Sequence, residues 1–167
     1  MTLAYIGLGS NLANATGDCR DILQQAVKGL VALGPVRVSG LYASKPMGPQ
    51  DQPDYLNAVV ALDTHLTAHD LLKSLQQLEQ QAGRVRVRHW GERTLDLDLL
   101  LYGMEQIQTP VLTVPHVGIL QRNFVILPLL ELDEQLQVNG VPLKDCPVAR
   151  QQQDICRLAD ASWALSD

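Results

Sequence analysis

"RTLDLDLLLYG", Arg93 to Gly103, sets two aspartates into a run of leucines. Side chains of an extended strand alternate between faces, so Leu95, Leu97 and Leu99 point toward a core. Asp96 and Asp98 share the opposite face, roughly 7 Å apart. Like charges held that close on a partly buried sheet repel each other, and a divalent cation between them removes the cost. Alternating Leu and Asp also describes any strand with one wet face, so the neighbourhood has to separate the two readings. Just upstream, Arg84, Arg86, Arg88 and Arg93 fall in one window of ten residues with His89, in a chain whose net charge is −5. Carboxylates suited to magnesium beside a loop of guanidiniums form the two halves of a polyphosphate site, with bidentate arginines on the phosphate oxygens.

Reading outward from this strand predicts the rest of the domain. "TLAYIGLGSN" is an apolar strand over Thr2 to Leu8 that stops in a glycine-rich turn. Ile22, Leu23, Ala26, Val27, Leu30 and Val31 recur at helical spacing between Asp18 and Leu33, and Gly34-Pro35 ends that helix. A second strand spans Val36 to Ser44, and "KPMGPQDQP", Lys45 to Pro53, is a loop. The third strand, Tyr55 to Leu62, places Tyr55, Asn57, Val59 and Ala61 on one face and Leu56, Ala58, Val60 and Leu62 on the other. A helix over Ala68 to Ala82 starts at Thr67, with Asp70 three residues later in a short relative of the capping box. The order β-α-β-β-α-β is that of an α/β (α+β) ferredoxin-like sandwich, a mainly antiparallel sheet with both helices on one face. Beyond Gly103 the pattern predicts a strand near Glu105 to Thr109, a loop at "VPHVG", a helical piece over Ile119 to Leu132 and a strand at Gln135 to Val138. The last twenty residues are polar with scattered apolar groups and carry no periodic signal.

At 167 residues and 46% apolar composition, the chain is one domain with a real core, residues 1–167. No basic n-region precedes the first apolar stretch and no run of about 18 apolar residues occurs, so the protein is expected to be soluble and cytoplasmic. Cys19, Cys146 and Cys156 lack metal-ligand spacing and read as reduced thiols. The negative net charge and an aromatic content of only 4% argue against a nucleic-acid surface. A P-loop is absent, and "GLGSNL" lacks the third glycine of a dinucleotide fingerprint; its glycines read as a strand-ending turn that lets another backbone or a ligand come close.

A second constellation suits a flat ligand. Asn57 is an unexpected amide in mid-strand, sharing a face with Tyr55, and an amide offers both a donor and an acceptor in one plane. Tyr55, with Phe124 or Trp90, offers faces for stacking on a fused nitrogen heterocycle. Satisfying a neighbouring loop is the plainer explanation for Asn57 taken alone.

The motifs "YIGLGSNL", "GPQDQPDYLNAVVAL", "GRVR", "WGERTLDLDLLLYG" and "LTVPH", then Arg122 and Phe124 in "QRNFVILPL", resemble those of the 6-hydroxymethyl-7,8-dihydropterin pyrophosphokinase family from about Ala4 to Leu130. The resemblance implies an α/β sandwich on a ferredoxin-like core, and transfer of the terminal diphosphate of MgATP to a pterin hydroxymethyl group with release of AMP. It implies two magnesium ions on Asp96 and Asp98, with a pterin pocket lined by Ser44, Met47, Tyr55, Asn57, Trp90, Asp96 and Phe124. ATP would be surrounded by Gln76, Glu79, Arg84, Arg86, Trp90, Arg93, Leu99, Thr113, His116 and Arg122. Arg84 and Arg93 would be the catalytic arginines of a mobile loop, residues 83–93, flanked by Gly83 and Gly91. The chain departs from the family where His89 precedes Trp90, a position often held by arginine, with Arg88 adjacent, and at Val111 and Val117, where some relatives place nucleotide-contacting side chains.

Two other classes remain to be separated from the enzyme: a non-catalytic ferredoxin-like nucleotide sensor, which needs no second carboxylate, and an RNA-binding module, which needs sheet aromatics where this chain offers only Tyr5 and Tyr102. With no long exposed apolar stripe, the expected partners are small molecules, ATP and the pterin, for a monomer that binds neither membrane nor nucleic acid.

Overall fold

The computed structural model describes residues 1–14, 17–46, 50–83, 93–151 and 154–165. Its elements are β1 (Thr2–Ser10), α1 (Cys19–Val31), β2 (Val36–Val38), β3 (Leu41–Ser44), β4 (Tyr55–Thr64), α2 (Ala68–Gln81), β5 (Asp96–Tyr102), β6 (Ile107–Gln108), β7 (Thr113–Val114), α3 (Asn123–Leu132), β8 (Gln137–Val138), β9 (Val141–Pro142) and β10 (Ile155–Ala159). The main sheet runs β10-β3-β4-β1-β5, with β2 also paired to β4, and all its pairings are antiparallel. This is the ferredoxin-like order expected from the sequence.

The alternation on β4 separates two cores. Ala58, Val60 and Leu62 face α1 and α2, joined there by Leu97 and Leu99 of β5. Val59 and Ala61 face the other side, with Tyr5, Leu100, and Val125, Ile126 and Leu129 of α3. The third helix therefore forms a layer of its own opposite the first two. Helix α1 opens with a full capping box, in which Asp18 Oδ1 accepts from Asp21 N at 3.0 Å and Asp18 N donates to Asp21 Oδ2 at 3.1 Å. Thr67 caps α2 as read, its hydroxyl accepting from Asp70 N at 3.1 Å. Gly83 follows the α2 cap at φ +79, the left-handed turn that favours glycine.

The structure departs most from the sequence reading in three places. The strand expected over 36–44 is split at Ser39-Gly40, because Ser39 Oγ accepts the Val59 amide at 2.9 Å in place of a backbone carbonyl. The first strand does not stop in a turn after Leu8: β1 continues through Gly9 to Ser10, paired to β4 on one side and, as far as Gly9, to β5 on the other. The C-terminal segment, which carries no periodic signal, supplies the edge strand β10 and then a 3-10 turn, Ala161–Leu165, that buries Trp163 in the helix-side core. Trp163 Nε1 donates to the Ser39 carbonyl at 2.9 Å, and its own carbonyl accepts from Gln24 Nε2 at 2.6 Å.

Glu131 on α3 ties this edge to the rest. It accepts from the Tyr42 hydroxyl at 2.7 Å, Gly40 N at 2.8 Å and Arg157 at 3.1 Å. Burial, and then the neighbouring Glu131 carboxylate, pushes the Tyr42 hydroxyl up to about 12. Among the described residues no helix is long and apolar enough to cross a membrane.

Candidate active site

A cavity opens on the α3 side of the sheet, between β5 and β4, over the middle of β1. Its floor follows from the register. Gly9 lies between Asp96 on β5 and Asn57 on β4, and Gly7 lies between Asp98 and Val59. Two glycines on one face of a central strand leave a strip of bare backbone, because every second residue there would otherwise project a side chain into the space. A Cβ on Gly9 would sit 3.6 Å from both Asn57 Oδ1 and Tyr55 Cδ1, so the missing side chain opens the trough and relieves no clash.

The carboxylate wall forms as the alternation requires. Leu97 and Leu99 are buried on the helix side, while Asp96 is partly buried and Asp98 exposed on the cavity side. The alternation ends in a β-bulge, where the register jumps from Ile6–Leu99 to Tyr5–Leu101, so that Leu100 and Leu101 both face the α3 side. The bulged carbonyl of Leu100 accepts from His116 N at 2.9 Å, which fixes the His116 turn against β5. Gly118 N donates to His116 Nδ1 at 3.0 Å, so in the neutral imidazole Nε2 carries the proton, a donor with no partner among the described residues. Farther along the same strand, Leu97 N donates to Glu79 Oε2 at 2.9 Å. Glu79, buried on α2, thus holds the peptide between the two aspartates from the side of β5 that faces away from β1.

The opposite wall is built around Asn57. Its Nδ2 donates to Ser44 Oγ at 2.7 Å and to the Tyr55 carbonyl at 3.4 Å. The carbonyl can only accept, which sets the amide orientation and turns Oδ1 toward the Gly9 strip. The structure therefore narrows the expectation that Asn57 offers a ligand both donor and acceptor, since the donor is spent within the protein and the acceptor is presented. Phe124 closes this side, with the Arg122 guanidinium carbon 5.9 Å from its ring centre in a cation–π contact, and Arg122 also lines the cavity.

Arg93 borders the cavity at the entrance to β5, and its Nη1 is buried with no hydrogen-bond partner among the described residues. Such an orphaned donor is costly unless an acceptor arrives, and an anionic ligand is one. Gln76 is exposed on α2, and Thr113 is exposed on β7, opposite Gln108. The Leu99 side chain is in the helix-side core, 3% exposed, so only its backbone is open to a ligand. Met47, Arg84, Arg86, Arg88, His89 and Trp90 lie outside the described residues.

Sequence reasoning passed over Asn11, Gln52 and Lys45, all close to the walls of this site. Asn11 follows the β1 glycines directly, yet nothing in its sequence surroundings says which chain segments it joins.

Comparison with known proteins adds to this geometry. Residues 5–134 match the family described as 7,8-dihydro-6-hydroxymethylpterin-pyrophosphokinase (HPPK). A 2-amino-4-hydroxy-6-hydroxymethyldihydropteridine pyrophosphokinase of Haemophilus influenzae is 51% identical over 136 residues, covering 81% of this chain and 84% of that protein. Its counterpart in Pseudomonas aeruginosa is 46% identical over 137 residues, with 80% and 82% covered. The fold is shared with the Plasmodium falciparum HPPK-DHPS wild type, at a TM-score of 0.67 and 14% identity, over 93% of this chain and 48% of that one. The chain thus spans about half the length of that larger protein. With most of its length matched, the chain belongs to the 7,8-dihydro-6-hydroxymethylpterin-pyrophosphokinase family.

Proposed function

We propose that the chain transfers diphosphate from MgATP to the hydroxymethyl group of 6-hydroxymethyl-7,8-dihydropterin, giving AMP and the pterin diphosphate in folate biosynthesis. The observation that carries the reading is the bare strip of Gly7 and Gly9, with Asp96 and Asp98 on one side and Asn57 and Val59 on the other. A flat ring lies directly on that backbone, and Asn57 Oδ1 accepts from a ring N–H. Tyr55 and Phe124 enclose its faces, Met47 and Trp90 are assigned to the same pocket, and Ser44 acts through its hold on Asn57.

ATP extends from the trough along the side of β5 that faces away from β1. Gln76, Glu79, the Leu99 backbone, Thr113 and His116 border the nucleoside and its phosphates, with His116 Nε2 as a donor. Arg84, Arg86, Arg93 and Arg122 act on the phosphate oxygens, and Trp90 is assigned to both substrates. Asp96 and Asp98 present hard oxygen donors on one face. These two carboxylates would hold the two magnesium ions, with phosphate oxygens and water as further ligands. Magnesium held there would neutralise charge on the triphosphate and make the pterin hydroxyl a better nucleophile.

In the transfer, the hydroxymethyl oxygen bonds to the β-phosphorus as the bond from that phosphorus to the α,β-bridging oxygen breaks. AMP leaves with the bridging oxygen, and the hydroxyl proton passes to water. Arg84 and Arg93 neutralise charge on the transferring group and on AMP, and loss of one such guanidinium costs on the order of 10³ in rate. Incubation with ATP, Mg²⁺ and the hydroxymethyl pterin should yield AMP and pterin diphosphate in equal amounts. ADP would indicate a different kinase, and binding without product a nucleotide sensor; either outcome overturns the proposal.

A further inference from the structure

Asn11 is 2% exposed and makes four hydrogen bonds to two distant segments. Its backbone N donates to the Arg93 carbonyl at 2.9 Å, and its Oδ1 accepts from Arg93 N at 2.7 Å. Its Nδ2 donates to Gln52 Oε1 at 2.9 Å and to the Pro53 carbonyl at 3.0 Å. Gln52 is itself 6% exposed. Arg93 starts the segment that carries Asp96 and Asp98, and Pro53 lies two residues before Tyr55, the first residue of the strand that carries Tyr55 and Asn57. One buried side chain therefore grips the phosphate wall with its acceptor and the heterocycle wall with its donors. Only a carboxamide offers one acceptor and two donors in a plane at this length, since a hydroxyl is too short and a carboxylate lacks the donors.

We infer that Asn11 is a positioning residue for the transfer, holding the Arg93 backbone and the segment before β4 in one frame. It touches neither substrate. Its acceptor arm sets where the Arg93 guanidinium meets the phosphates, and its donor arm sets where Tyr55 and Asn57 meet the ring. Displacements well under the length of a hydrogen bond are costly in such a frame, because the rate depends on the alignment of reacting atoms.

The two arms can be cut separately. Asn11→Asp keeps the acceptor for Arg93 N, and Gln52 can rotate its amide to donate to the new carboxylate. The carboxylate then faces the Pro53 carbonyl with no proton between them. Asn11→Ala removes both arms. The inference rests on the diphosphokinase reading, which fails separately if the unsubstituted chain makes no AMP. Given that activity, Asn11→Asp should raise the pterin KM by about tenfold and leave kcat within about threefold. Calorimetric titration with the pterin, in the absence of nucleotide, should show the same loss of affinity. Asn11→Ala should lower kcat by about tenfold or more as well as weakening the pterin. A residue that only stabilised the fold would lower the melting temperature in both variants without separating kcat from KM. Unchanged kcat in folded Asn11→Ala, or equal effects of the two variants on both constants, overturns the inference. If Asn11→Ala does not fold, Asn11→Asp alone decides: weakened pterin with kcat retained supports the positioning role, and any other pattern rejects it.

Discussion

Replacing Gly9 by alanine isolates the trough from the rest of the fold. The new Cβ would lie 3.6 Å from Asn57 Oδ1 and from Tyr55 Cδ1, and 3.9 Å from the Leu56 carbonyl, all ordinary contact distances. Gly9 has no left-handed backbone requirement, so alanine adopts its conformation without strain and reduces the freedom of the unfolded chain. That contributes about 0.4–1 kcal/mol of stability and up to about 4 °C in melting temperature for a domain of this size. The methyl, however, stands on the strip where the ring is to lie, and forcing a flat ligand over an added methyl costs about 1–3 kcal/mol. Pterin affinity should therefore fall by roughly 5- to 150-fold, while binding of a non-hydrolysable ATP analogue with Mg²⁺ stays within about twofold. Calorimetric titration of each ligand, with a thermal melt, measures all three quantities. The reasoning is refuted if pterin binding is unchanged, if both ligands weaken equally, or if the melting temperature falls by several degrees. Gly34→Ala is the contrasting case, because a Cβ there would fall 1.9 Å from the Asp63 carbonyl at φ +152, and that variant should be severely destabilised.

Other perturbations separate the remaining parts. Asp98→Ala removes an exposed carboxylate, so its melting temperature should match the parent while AMP formation is lost; turnover near the parent rate would contradict a metal-binding role. Glu79→Leu leaves the Leu97 amide without its 2.9 Å acceptor and should destabilise by about 1–3 kcal/mol in denaturant titration, whereas Glu79→Gln keeps an acceptor and most of the stability. Equal stability of the two variants would show that the carboxylate does not hold β5. Tyr42 supplies a pH prediction. Burial and then Glu131 raise its hydroxyl from 10.0 to about 12, so the folded state keeps the proton after the unfolded chain has begun to lose it. The associated stability is complete below pH 10 and is lost as the pH rises to about 12. Tyr42→Phe should flatten the fall in melting temperature across that interval, and an unchanged alkaline slope would count against the Glu131 contact.

What could be read from the sequence follows from the range of the interactions involved. The carboxylate face of β5 was legible because alternation is local: once Leu97 and Leu99 are buried, Asp96 and Asp98 must face the other way. The two cores on β4 follow for the same reason. The continuation of β1 through Gly9 to Ser10 was not legible, since neighbouring strands hold residues that by themselves favour a turn. The break at Ser39 depends on a hydroxyl entering the ladder of β4, and the β10 edge depends on pairing Ile155 with Ser44; neither partner is near in sequence. Within the site, Asn57 was legible as an oddity, but its donor was seen to be committed only when Ser44 was placed beside it. Asn11 carried no periodic signal at all, because its partners lie 41, 42 and 82 residues away.

The most direct test is a crystal structure of the chain with a non-hydrolysable ATP analogue, Mg²⁺ and the hydroxymethyl pterin. The account predicts the ring flat against Gly7 and Gly9 beside Asn57 Oδ1, with magnesium bound by Asp96 and Asp98 and shared with the phosphates. Aspartates facing solvent, free of metal and remote from the triphosphate, would contradict it.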